Sequence, residues 1–269
     1  MYVPRMNWSG NSEQVLIQHV NRKQDTNKLY LTEIKNGDVE LILTEQEENF
    51  LDFYDDAKWL ESGTDFIWKS ERSGWRHIYK ISRDGSNIVN LTNGAFDITD
   101  VQAIDEKNGW IYFIASPDNV AQRYLYRSKL DGTLSNQRIT PNEYAGSNRY
   151  QMSPNGQWAI HSFSSFAQPE HEFFQVTAQD GVVLDGYIMR PANFDASKKY
   201  PIIFYVYGEP AGQTAQDKWR GNAYLWDQML TEQGFIVASI DNRGTPAPKG
   251  RAWRKSIYGA VGILSSRDQ

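Results

Sequence analysis

Tyr200-Pro201-Ile202-Ile203-Phe204-Tyr205-Val206-Tyr207-Gly208-Glu209-Pro210 divides this chain of 269 residues into two kinds of sequence. The apolar run over residues 202–206 predicts a strand buried on both faces, the type found in α/β sheets. Gly208 and Pro210 then force a turn that leaves Tyr207 at the strand's end. Open α/β sheets bind ligands at strand ends, so function is sought here first.

Downstream, residues 217–232 carry a helical pattern, with Leu225 and Met229 one turn apart and Trp226 and Leu230 likewise. Gly234 is a suitable helix stop, and residues 235–240 read as a second buried strand ending in Asp241-Asn242-Arg243-Gly244. Strand, helix and strand of these lengths form a crossover unit, so a parallel sheet begins here. Immediately upstream, residues 173–177 and 182–190 flank Gln179-Asp180-Gly181 and predict a hairpin.

The first two thirds of the chain repeats itself. Lys28-Leu29-Tyr30, His77-Ile78-Tyr79 and Tyr124-Leu125-Tyr126 are each followed by a turn pair, Asn36-Gly37, Asp84-Gly85 and Asp131-Gly132. Each turn feeds a strand closing on Leu43-Thr44, Leu91-Thr92 or Ile139-Thr140. Asn-Gly and Asp-Gly suit hairpin turns because both central residues must tolerate positive φ. Strands over residues 14–20, 65–69 and 110–115 open the units, and a fourth unit starts at Ser153-Pro154-Asn155-Gly156 and runs to Phe163. Three or four strands per period of about 48 residues, with no helical pattern, describe propeller blades better than an antiparallel sandwich. Three blades and part of a fourth do not close a ring, so the array is expected to continue upstream or to be completed by another chain.

Composition narrows the function classes. Aromatic residues are 13% of the chain, with nine Trp and fifteen Tyr, as befits a sheet-rich protein. A net charge of −5 with dispersed Lys and Arg forms no basic stripe, which argues against nucleic acid as a partner. Apolar runs are too short for a membrane span, and Met1-Tyr2-Val3-Pro4-Arg5 has no signal-peptide core. With no cysteine, disulfides and thiolate catalysis are excluded. Asn7-Trp8-Ser9 and Asn90-Leu91-Thr92 fit the glycosylation pattern, which short sequences often match by chance. The four histidines have no metal-ligand spacing, so no metal or cofactor is expected. His161 lies near Ser164 and Ser165 but without a strand-to-helix elbow, so it reads as a structural histidine. Asp241 and Arg243 read as loop-bonding residues.

Lys199-Tyr200-Pro201, Tyr207-Gly208-Glu209-Pro210, Gly234-Phe235-Ile236-Val237, Asp241-Asn242-Arg243-Gly244 and Asp268-Gln269 occur in that order. This set resembles the start of the α/β-hydrolase domain in the prolyl oligopeptidase family of serine peptidases. Ser70-Glu71-Arg72-Ser73-Gly74-Trp75-Arg76-His77-Ile78-Tyr79 narrows the resemblance to the dipeptidyl peptidase IV branch. It implies that residues 1–172 are about three and a half blades of an eight-bladed β-propeller. Residues 173–269 would then be the N-terminal part of an α/β-hydrolase domain. The implied activity is release of N-terminal dipeptides, with Pro or Ala second, from peptides with a free N-terminus. Acylaminoacyl peptidases and prolyl endopeptidases are the alternatives within enzymes, and a non-catalytic propeller binding protein or peptide is the alternative outside them. Relatives further imply homodimers and a periplasmic or secreted location.

Under the resemblance, Tyr207 matches the tyrosine whose hydroxyl donates to the oxyanion of the tetrahedral intermediate, although Glu209 stands where many relatives have Gly. Phe53 and Tyr54 match positions lining the cavity near the substrate's N-terminal residue; ordinary inter-blade packing is the competing reading. No Gly-x-Ser-x-Gly elbow occurs, so the serine, acid and histidine of the triad are expected after Gln269 and the amine-binding glutamates before Met1. This chain by itself is therefore expected to be inactive.

Overall fold

A computed structural model describes residues 2–52, 57–165 and 171–269. Packing divides the chain into two compact units. The first comprises residues up to Pro117 together with Leu125–Ile139 and Gln151–Ile160, and the second Asp118–Tyr124, Thr140–Tyr150 and His161–Gln269.

Three four-stranded sheets follow one another. Strands β1 (Tyr2–Trp8), β2 (Gln14–Val20), β3 (Thr26–Glu33) and β4 (Val39–Gln46) form the first as an antiparallel meander. Strands β5 (Lys58–Trp59), β6 (Asp65–Ser70), β7 (His77–Ser82) and β8 (Ile88–Asn90) form the second. The third contains β9 (Ile98–Asp105), β10 (Trp110–Ala115), β11 (Tyr124–Lys129) and β12 (Gln137–Arg138) in the same order. Strands β13 (Ser147–Met152) and β14 (Ala159–Ser164) pair as the start of a fourth. The repeated marks of the sequence all fall on the third strand of a sheet, and their Asn-Gly or Asp-Gly turns all lead into the fourth. The blade pattern is therefore in phase with the chain.

Alternation explains the strands: in β3, Leu29 and Leu31 are buried while Lys28, Tyr30 and Thr32 are only partly so. The first two sheets share a core, with Leu16, Leu29, Leu31 and Leu43 packed against Phe66, Trp68, Tyr79 and Ile81. Burial of this apolar surface is what holds one sheet on the next. The turns add geometry. Gly85 has φ 73, and a Cβ there would lie 1.8 Å from the Ile42 carbonyl oxygen of β4. Gly132 has φ 79, and its Cβ would lie 3.1 Å from Val89 of β8. These two turns thus lie on the last strand of the preceding sheet, and at Gly85 only glycine allows so close an approach.

The second unit is built on a mixed sheet. Strands β15 (His171–Thr177) and β16 (Val183–Met189) form the expected hairpin. Strand β17 (Ile202–Phe204), helix α1 (Asn222–Glu232) and strand β18 (Ile236–Asp241) form the expected parallel crossover, with sheet order β15-β16-β18-β17. Helices α2 (Arg251–Lys255) and α3 (Ile263–Asp268) follow. Tyr187, Met189, Val237 and Tyr224 make the core between sheet and α1, while Leu184, Ala247 and Trp253 pack together in a separate cluster.

Two expectations are corrected. Strand β17 is not buried on both faces: Ile202 is 47% exposed and Phe204 51%. Among the described residues it pairs only with β18 and ends the sheet, whereas β18 lies between two strands and buries Val237, Ala238 and Ser239. Apolar composition marks both strands; within these 269 residues the sheet covers β18 and leaves β17 exposed. The helix is also shorter than the expected 217–232. It starts at Asn222 after Gly221 with φ 58, and its covered residues are Tyr224, Asp227 and Thr231, while Leu225, Trp226 and Met229 face outward. Its end is as expected: Gly234 has φ 87, and its N–H donates to the Thr231 carbonyl.

Candidate functional site

The ends of β17 and β18 lie side by side and carry a buried polar network. After Phe204 the chain keeps one ladder bond, Tyr205 N–H to the Ala238 carbonyl at 2.8 Å, and then leaves the sheet. Ser239 Oγ donates to the Tyr205 carbonyl at 2.7 Å and lies 2.8 Å from Thr214 Oγ1. Asp241, buried at the end of β18, accepts from Thr214 N–H at 2.7 Å, Thr214 Oγ1 at 2.8 Å and Ala215 N–H at 3.1 Å. Burial pushes its carboxyl above the ordinary range, and those hydrogen bonds oppose the shift.

Tyr207 stands on the loop between these clamps. Gly208, with φ 77, turns the chain, and the Tyr207 ring lies against the backbone of Gly212, where a Cβ would come within 3.1 Å of the ring. The side chain is 41% exposed, and its hydroxyl makes no hydrogen bond to any described residue. Further along, Gln213 Oε1 accepts from Arg123 at 2.8 Å, and the Ala121 carbonyl accepts from Asp217 N–H at 2.8 Å. Burial pulls Arg123 down to about 10. Beside the loop, Arg220 places its guanidinium over the rings of Tyr187 and Tyr205, at 5.2 and 5.6 Å. Burial pushes the Tyr187 phenol up to about 12 and raises the Asp227 carboxyl, to which it donates.

The remaining residues singled out in the sequence are scattered. Phe53 and Tyr54 lie outside the described residues. Near them in the chain, Glu45, Phe50, Leu51, Asp52 and Ser70 line a cavity of about 20 Å³, room for a water. Glu45 is buried there and accepts from Trp68 Nε1 at 3.1 Å, Ser70 Oγ at 2.9 Å and Arg72 Nη2 at 2.6 Å. The motif containing Arg72 and Arg76 is thus tied down: Arg76 pairs with Glu71 at 3.1 Å and Asp52 at 3.7 Å. No sequence signal points to Glu45, whose partners lie more than twenty residues away. His161 stacks on Tyr150, ring centroids 4.4 Å apart, and its Nε2 lies 2.7 Å from Asn148 Oδ1. Ser164 Oγ accepts from Trp219 N–H instead, so the two do not form a base and nucleophile. Among the described residues no three His, Asp or Glu side chains converge as metal ligands, and no helix is long and apolar enough to cross a membrane.

Comparison with known proteins gives the geometry a family. Residues 1–170 match the family described as the dipeptidyl peptidase IV N-terminal region. A Schizosaccharomyces pombe protein named for dipeptidyl aminopeptidase activity is 28% identical over 96% of this chain and 38% of its own length. Dipeptidyl-aminopeptidase B of Aspergillus niger is 26% identical over 97% of this chain and 34% of its own. In fold, the chain is similar to the crystal structure of Porphyromonas gingivalis dipeptidyl peptidase 4, with a TM-score of 0.87 at 24% identity, over 98% of this chain and 41% of that one. The chain thus spans well under half the length of the relatives it matches. It belongs to the dipeptidyl peptidase IV family, whose N-terminal region occupies its residues 1–170.

Proposed function

We propose that this chain is part of a serine exopeptidase that releases N-terminal dipeptides, with β1 to β14 belonging to an eight-bladed propeller and residues 173–269 opening an α/β-hydrolase domain. In this reading a serine hydroxyl adds to the scissile carbonyl, the carbonyl oxygen becomes an oxyanion, and the Tyr207 hydroxyl donates to it. Collapse expels the amine, and water then hydrolyses the acyl-serine. The carrying observation is Tyr207 itself: a half-exposed phenol with an unengaged hydroxyl, just beyond the end of a parallel strand. A fixed donor aimed where charge develops contributes roughly 10²–10³ in rate. No Gly-x-Ser-x-Gly elbow occurs in these 269 residues, so the nucleophile would come from elsewhere in a longer protein.

In a longer protein carrying the triad, Tyr207→Phe is expected to lower kcat on Ala-Pro chromogenic amides by about 2.7–4 kcal/mol in activation free energy, with folding unchanged. Undiminished rates in that variant would return Tyr207 to ordinary packing. Residues 1–269 by themselves are expected to show no hydrolysis above buffer. Turnover that persists through further purification would refute the reading that the nucleophile lies elsewhere.

A further inference from the structure

We propose that Asp241, acting with Ser239, is the positioning residue that holds the Tyr207 loop in its working geometry. The inference rests on the reading of Tyr207 as an oxyanion donor and adds the device that aims it. Residues 206–212 make no hydrogen bond to any described residue outside the loop, so their course depends on how the two ends are held. Both ends are held by β18. Ser239 Oγ takes the Tyr205 carbonyl at one end and meets Thr214 Oγ1 at the other. Asp241 gathers three donors from Thr214 and Ala215, between 2.7 and 3.1 Å. Two residues before Thr214, Gly212 supports the Tyr207 ring.

A carboxylate buried this deeply is costly unless its lone pairs are filled, and here donors from the loop fill them. Carboxylate and loop therefore order each other. Oxyanion donors must sit within about 2.7–3.1 Å of the developing charge. A misplacement of about 1 Å can cost roughly 10²-fold in rate. Releasing the clamp leaves the phenol present but unaimed, which separates a positioning role from a catalytic one.

The test uses the 269-residue chain labelled with fluorotyrosine. Tyr207→Phe identifies the Tyr207 fluorine line among the fifteen tyrosines. Asp241→Asn is expected to shift and broaden that line while leaving the tyrosines of the first unit in place. Thr214→Val, which deletes one hydroxyl and keeps both backbone bonds, should produce a smaller shift and serves if Asp241→Asn fails to fold. A Tyr207 line unmoved in the folded variants overturns the proposal. In the longer enzyme, Asp241→Asn should lower kcat by roughly 10- to 10²-fold with KM little changed, and the loss should vanish in a Tyr207→Phe background. Losses that simply multiply in the double variant also overturn it. Full activity of Tyr207→Phe would sink the donor reading and yet leave the fluorine shift standing, so the two failures are distinguishable.

Discussion

Arg243 and Asp268, 25 residues apart in the chain, form a buried pair just beyond the end of β18. The Arg243 side chain donates from Nη2 at 2.6 Å and from Nε at 3.0 Å, and its backbone N–H reaches the same carboxylate at 2.8 Å. The Asp268 side chain is wholly buried, and Asp180 closes the other side of the guanidinium at 2.6 Å. Hydrogen bonding to Asp268 raises the Arg243 pKa, as charge-assisted bonds to a carboxylate do.

Removing one partner strands the other. Asp268→Asn or Arg243→Met should each destabilise the second unit by about 3–5 kcal/mol, read as a drop in the urea midpoint. The double variant Arg243→Met with Asp268→Leu should lose less than the sum of the single changes, because no buried charge is stranded and Asp180, the one carboxylate left without its partner, is a third exposed. A double variant that loses the sum of both would show that the pair is not coupled.

His77 sets an acid limit on the second sheet. Burial lowers its pKa, and its ring lies between Thr92 Oγ1 at 3.1 Å and the Gly94 carbonyl at 3.0 Å. Thr92 Oγ1 accepts from Ile78 N–H, which leaves its own proton for Nδ1, so Nε2–H serves Gly94 and the ring is neutral. A lowered folded pKa means that the unfolded chain binds the extra proton more readily. Stability is therefore full above the ordinary histidine value near 6.5 and falls as pH drops from there toward the folded pKa. Urea unfolding between about pH 7.5 and 5 should show this slope, and His77→Gln should flatten it. An unchanged slope in the variant would assign the pH dependence to other groups.

Two turn glycines with similar φ separate backbone strain from steric exclusion. Gly37 has φ 76, and a methyl placed on its Cα would have nothing within 4 Å, whereas at Gly85 that methyl would meet the Ile42 carbonyl at 1.8 Å. Gly37→Ala should cost about 1–2 kcal/mol, the penalty for an L-residue in the left-handed region. Gly85→Ala should cost clearly more, because the second sheet must move off the first. Equal losses in thermal unfolding would mean that the turns do not nest as described.

Much of this architecture was legible in local sequence. The marks at Lys28, His77 and Tyr124 and the turn glycines after them need only neighbouring residues to declare a hairpin, and the structure places each at the same point of its sheet. The crossover from β17 through α1 to β18 was equally legible from apolar runs and the stop at Gly234. Tyr207 stood out because Gly208 and Pro210 follow an apolar run, although β17 itself ends at Phe204, three residues before it. What could not be read were contacts across long separations: Glu45 receiving Arg72, Asp241 receiving Thr214 and Ala215, and the exposure of Ile202 and Phe204. A strand's composition declares its own preference for burial, but pairing order and side-chain hydrogen bonds depend on which distant segment arrives beside it. The amino-acid sequence by itself therefore determined the sheets and their turns, and marked Tyr207 as lying beyond an apolar strand. Only tertiary structure decided what holds Tyr207, because a buried carboxylate acquires its role from the donors that folding brings to it.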